Sequence, residues 1–99
     1  MKYSISFPTS LETINSENDN VDVCLYMADG TEYTFVIFTP ENLKSLMKKD
    51  GVPFFRPCYP FLVVEEITRE NIELLIKELV EMGELFLRIY GSDLETVYD

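Results

Sequence analysis

Two alternating runs meet at an Asp-Gly pair in the first half of this chain, and nothing else in it restricts the fold so tightly. Val21, Val23, Leu25 and Met27 alternate with Asp22, Cys24 and Tyr26, so a strand over 21–28 has one apolar and one mixed side. Thr31–Phe38 follows, rich in the β-branched and aromatic residues that suit a pleated surface. Asp29-Gly30 between them signals a hairpin, because a tight reversal needs positive φ and glycine adopts it without steric cost. An antiparallel hairpin over 21–38 is therefore predicted.

The rest of the chain must supply neighbours for that hairpin. Tyr3, Ile5 and Phe7 alternate with Lys2, Ser4 and Ser6, a half-buried strand stopped by Pro8. Residues 9–20 are polar and end in NSENDN, which predicts a mobile loop. Thr39-Pro40-Glu41 opens a helix: the Thr hydroxyl accepts orphan N–H groups and Pro fits the first helical position. Leu43, Leu46 and Met47 form its apolar stripe, and Asp50-Gly51 ends it.

Pro53, Pro57 and Pro60 make 51–60 an irregular connector, and Phe61–Val64 reads as a short strand buried on both faces. Thr68 caps a second helix running to about Met82. Ile72, Leu75, Ile76 and Leu79 line one side, with Glu70, Glu73, Lys77, Glu78 and Glu81 mostly on the other. Gly83 stops it, Leu85–Tyr90 is predicted as a last strand, and 92–99 as a frayed tail. The segments Phe38–Lys48 and Ile67–Lys77 echo each other in frame, chiefly at residues that a helix start favours.

Ninety-nine residues make a single domain, and a composition that is 46% hydrophobic can build one core. The order predicts an α+β class: a mixed β-sheet of four to five strands with two helices packed on one face. Right-handed crossovers between parallel strands place both helices on that face. The other face would carry Tyr33, Phe35 and Ile37 or Thr34, Val36 and Phe38, too apolar to stay wet, so something must cover it. That is a reason to expect a protein partner or a second copy.

Several chemistries are excluded at this level. The chain has no histidine, which removes Ser/His/Asp and Cys/His nucleophile sets and His-based zinc sites. Four scattered glycines form no phosphate-cradling loop. Asn15, Glu17 and Asp19 have the spacing of a calcium loop, but Asn20 stands where glycine is required and Tyr26 where the closing glutamate belongs. Glu65 and Glu66 are strand neighbours and point to opposite faces, so they do not converge. No enzyme activity, metal or cofactor is expected. Cys24 and Cys58 form no motif, and Cys24 sits in an apolar run as a small hydrophobe.

Eighteen acidic against eight basic residues leave a formal charge of −10. Such a surface repels nucleic acid and anionic membrane and attracts basic partners. The opening MKYSISFPTS has no sustained apolar stretch, so no signal peptide is expected and a reducing, cytoplasmic setting is.

The elements ADGTEYTFVIFTPENLKSLM and FLVVEEITRENIELLIKELVEMGELF, between Met27 and Phe86, resemble a set of small acidic bacterial proteins of unassigned activity. Those proteins look like components of toxin–immunity loci. The shared motifs are the hairpin turn, the two helix caps and the Gly-Glu stop; the connector GVPFFRPCYP departs from the pattern, lacking its Trp and adding prolines. The resemblance implies an immunity-type inhibitor of a basic toxin domain. Steering would fall to Glu65, Glu66, Glu70, Glu73 and Glu81, and anchoring to Phe54, Phe55 and Tyr59. The alternative is a homo-oligomeric structural or adaptor module that pairs through an apolar sheet face.

Overall fold

The computed structural model describes residues 2–91. It has α+β architecture: a four-stranded mixed sheet and, among the described residues, three α-helices. The strands are β1 (Tyr3–Ser6), β2 (Asn20–Met27), β3 (Glu32–Phe38) and β4 (Leu62–Val63), adjacent in that order. β1–β2 and β2–β3 are antiparallel, while β3–β4 is parallel. The helices are α1 (Pro40–Asp50), α2 (Arg69–Met82) and α3 (Glu84–Tyr90).

The hairpin forms as its alternation requires, with Leu25 opposite Tyr33, Val23 opposite Phe35 and Val21 opposite Ile37. Its turn is looser than a two-residue reversal. Met27 N–H reaches Thr31 O at 2.8 Å and Gly30 N–H reaches Met27 O at 3.0 Å, which leaves a three-residue loop, Ala28–Gly30. Within this loop only Gly30 takes positive φ, at 92°. A three-residue loop with one left-handed glycine matches strand twist as well as a two-residue turn does. Asp29 Oδ1 accepts from Thr31 N–H at 2.9 Å.

That bond holds the Asp29 carboxyl below its ordinary range, since it favours the charged form. A folded pKa below the unfolded one means the contribution is present at neutral pH and fades as pH falls through the folded value. An NMR titration of the Asp29 carboxyl carbon is expected to give a midpoint below that of a free aspartate. A midpoint at or above the free value would contradict the bond.

The register puts Tyr3, Ile5, Val21, Val23, Leu25, Tyr33, Phe35, Ile37 and Leu62 on one sheet face. Ile72, Ile76, Leu79 and Val80 of α2 and Leu87 of α3 close over it. Each such side chain, fully buried, contributes about 1.5–3 kcal/mol. α1 adds no buried residue; Leu43, Leu46 and Met47 are half-buried. Polar bonds tie it to the β1–β2 connection and to the start of β2, Asn18 Nδ2 to Ser45 Oγ at 3.0 Å and Asn20 Nδ2 to Asn42 Oδ1 at 2.9 Å.

Both helix starts use the same device. Thr39 Oγ1 accepts from Asn42 N–H at 3.2 Å, and Thr68 Oγ1 from Asn71 N–H at 3.1 Å. Phe38 and Ile67, one residue earlier, are both buried. The in-frame echo is thus cap chemistry, for Phe38 lies in a strand and Ile67 does not. The 9–20 segment holds a 3-10 turn at Leu11–Thr13, packs Leu11 and Ile14 against the core, and accepts a 2.7 Å bond from Ile67 N–H at Ser16 O.

Three expectations are overturned. Phe61–Val64 is not a strand buried on both faces: only Leu62–Val63 pairs, and Val63 is 45% exposed because no described helix covers its side. Leu85–Tyr90 is not a strand but lies within α3. Helical spacing buries Leu87 and half-buries Phe86 and Tyr90, while Leu85 and Ile89 stay 66% and 46% exposed. Glu84 and Arg88, one turn apart and 2.7 Å from each other, support the helix from outside. Nor is the second sheet face broadly apolar. Ser4, Ser6, Asp22, Cys24, Tyr26, Glu32 and Thr34 occupy most of it. At its apolar end Phe38 is covered internally, packing edge-on against Phe55 and Phe61 with ring centroids 5.3 and 5.2 Å away, while Val63 beside it stays exposed. The predicted tail, 92–99, lies outside the described residues.

Candidate functional site

α2 is amphipathic in an uneven way. Its buried stripe runs through Ile72, Ile76 and Leu79. At 100° per residue the opposite side carries two i, i+4, i+8 rows, Glu70–Leu74–Glu78 and Glu73–Lys77–Glu81, every member exposed. Leu74 stands at the crest of this face, 67% exposed, with a carboxylate one turn before it and one turn after. Burying a leucine from that degree of exposure would contribute about 1–2 kcal/mol to an interface.

A depression lies on either side of the crest. Toward β1, one of about 630 Å³ is lined by Tyr3, Ile5, Arg69, Glu70, Glu73, Leu74 and Lys77 among others. Toward β4, a smaller one of about 240 Å³ is lined by Val63, Glu65, Leu74 and Glu78 among others. Arg69 pairs with Glu73 at 3.8 Å, between side chains more than half exposed, so the pair is weak. It also lies 4.8 Å above the Phe7 ring.

The steering residues expected from the sequence are brought together in part. Glu70, Glu73 and Glu81 share the outer face of α2. Glu65 lines the β4-side depression with Glu78 and Leu74, not with Glu70, Glu73 or Glu81. Glu66 is exposed on the same linker, and its carbonyl accepts from Asn71 Nδ2 at 2.9 Å, bracing the start of α2.

The expected anchors divide. Phe54 and Tyr59 are 57% and 49% exposed, held in a proline-framed connector. Phe55 is half-buried in the aromatic group with Phe38 and Phe61, 5.5 Å from the latter ring. None of the three lines either depression beside Leu74.

Leu74 and Glu78 were not singled out by the sequence reading. The signal was there: Leu74 sits two residues from both Ile72 and Ile76, hence on the far side of a 3.6-residue helix. Exposed carboxylates spaced by helical turns around one apolar side chain suit reversible contact with a cationic surface. Among the described residues, no three His, Cys, Asp or Glu side chains gather as a metal site. No described helix is long and apolar enough to cross a membrane.

Comparison of the chain with protein-family models, with curated proteins and with solved structures gives no match.

Proposed function

We propose that this chain is a non-catalytic binding protein, an immunity-type inhibitor that neutralises a basic toxin domain by occlusion. One observation carries the reading: Leu74 stands exposed on α2 between Glu70 one turn before it and Glu78 one turn after, in a chain of formal charge −10. Carboxylates at the rim speed encounter with a Lys/Arg-lined surface, and a desolvated apolar contact then slows release. Phe54 and Tyr59 are further anchors, exposed in a connector stiffened by three prolines. The resemblance to proteins of toxin–immunity loci agrees with this role, which would be exercised in the cytoplasm.

The test is co-expression with the product of the neighbouring open reading frame, followed by stopped-flow association of the purified pair. Protection of the host is expected, with an association rate that falls about tenfold or more between low and high salt. A tight complex whose association ignores ionic strength would sink the steering mechanism, and absence of protection would sink the inhibitor reading.

A homo-oligomeric module is the second reading, favoured by Leu85 and Ile89. They lie one turn apart on α3, 66% and 46% exposed, beside Met82 at 49%. Sedimentation equilibrium separates the two: a single species of 11.5 kDa at micromolar concentration removes self-association.

A further inference from the structure

β1 is an edge strand, paired with β2 on one side and with no described strand on the other. Lys2 carbonyl accepts from Ala28 N–H at 3.1 Å, so Lys2 and, by alternation, Ser4 and Ser6 turn their peptide groups toward β2. Tyr3 and Ile5 consequently direct N–H and C=O outward. Proteins usually guard such an edge with a charge, a proline or a bulge. Tyr3–Ser6 contains no charge or proline and pairs without a bulge; Lys2 and Pro8 stand only at its flanks.

Beside this edge lies a channel. A depression of about 740 Å³ around Phe7, Leu11 and Glu12 shares Ile5 and Arg69 with the 630 Å³ depression around Tyr3, Glu70 and Leu74. The two therefore run on from each other along β1, with the first turns of α2 as the facing wall. Edge backbone groups without a strand partner and side-chain depressions beside them are what a strand-addition site requires.

We infer that β1 and this channel receive an extended segment of a partner protein as a fifth strand, with lysine or arginine side chains on the side that faces α2. Charge complementarity selects that occupant. Glu12, Glu70 and Glu73 line the channel against Arg69 and Lys77; with Arg69 and Glu73 paired to each other, two carboxylates, Glu12 and Glu70, remain against the single ammonium of Lys77. The net charge of −10 acts in the same direction at longer range. The basic character of the segment rests on the proposed function as well as on this lining; the location is read from the edge itself.

The test uses the full chain, ¹⁵N-labelled, and two capped octapeptides, one alternating Lys and Val, the other Glu and Val. With the Lys peptide, amide shifts are expected at Tyr3–Phe7 and Arg69–Lys77. Hydrogen exchange should slow about tenfold or more at Tyr3 and Ile5 and stay unchanged at Ser4 and Ser6, which already bond to β2. The Glu peptide should bind at least about tenfold more weakly, and Glu70→Gln with Glu73→Gln should weaken the Lys peptide about 3–10-fold. Both substitutions are on exposed positions, so folding is retained.

Shifts confined to another surface, such as the connector, would overturn the edge site and leave the acidic-binder reading standing. No response to millimolar Lys peptide would count against both. Tyr3 and Ile5 amides that are protected without any peptide would show the edge already occupied, by a second copy if sedimentation gives a dimer and by the chain itself if a monomer. Either overturns the inference.

Discussion

Replacing Phe35 by alanine is expected to lower the unfolding free energy by about 3–5 kcal/mol, the usual cost of truncating a buried aromatic. Phe35 is fully buried at the centre of β3, opposite Val23. Its ring centroid lies 6.4 Å from that of Tyr33. The ring is closely approached by its neighbours. Gly91 sits so near that a Cβ there would lie 2.9 Å from the Phe35 ring and 2.8 Å from Leu87 O. A domain of this size has about 5–10 kcal/mol in total, so the variant would keep only a narrow margin or none. Urea unfolding followed by far-UV circular dichroism reads the difference. A loss below about 1 kcal/mol would mean that the ring is not packed as described.

The second large effect separates a helical from an extended Leu85–Tyr90. In a strand, Leu85, Leu87 and Ile89 share one face and would be comparably sensitive to truncation. In α3, Leu87 is 3% exposed while Leu85 and Ile89 face water. Leu87→Ala is therefore expected to cost about 2–5 kcal/mol, and Leu85→Ala and Ile89→Ala to stay within about 0.5 kcal/mol of the parent. Leu87 is the sole buried residue of α3 among those described, and its carbonyl accepts from Gly91 N–H at 2.8 Å. Losing its side chain should release α3 before the sheet melts, visible as faster amide exchange over 84–91 than over β2 and β3. Equal sensitivity at all three positions would restore the strand.

Legibility followed the range of the interaction concerned. The hairpin, the caps at Thr39 and Thr68 and the stop at Gly83 all depend on residues within a few positions of one another, and all could be read directly. The connector was legible too, because three prolines in eight residues leave no regular ladder. The last segment was misread because LFLRIY suits a strand by propensity and a helix by spacing. β4 pairs over only two residues, and among the described residues the sheet holds four strands. As a helix the segment lays Leu87 on the core.

The candidate site shows the same division. Glu70, Glu73 and Glu81 could be placed on the solvent side of a helix from their spacing alone. Glu65 could not be grouped with Glu78, since a linker turn decides how near the end of β4 comes to α2. The apolar second face expected from Thr34, Val36 and Phe38 was inferred from one strand, whereas β1 and β2 contribute mainly serine, aspartate, cysteine and tyrosine to it.

By itself the amino-acid order determined the α+β class, the hairpin, both long helices and an anionic surface without imidazole chemistry. These rest on backbone preference, periodicity and charge, which short windows of residues carry. Strand order, the helical state of 84–90, the burial of Phe38 under Phe55 and Phe61, and the open edge of β1 beside α2 were decided in the tertiary structure. Each depends on which distant surfaces meet, and a local pattern compatible with two states is settled by whichever contact buries more apolar area.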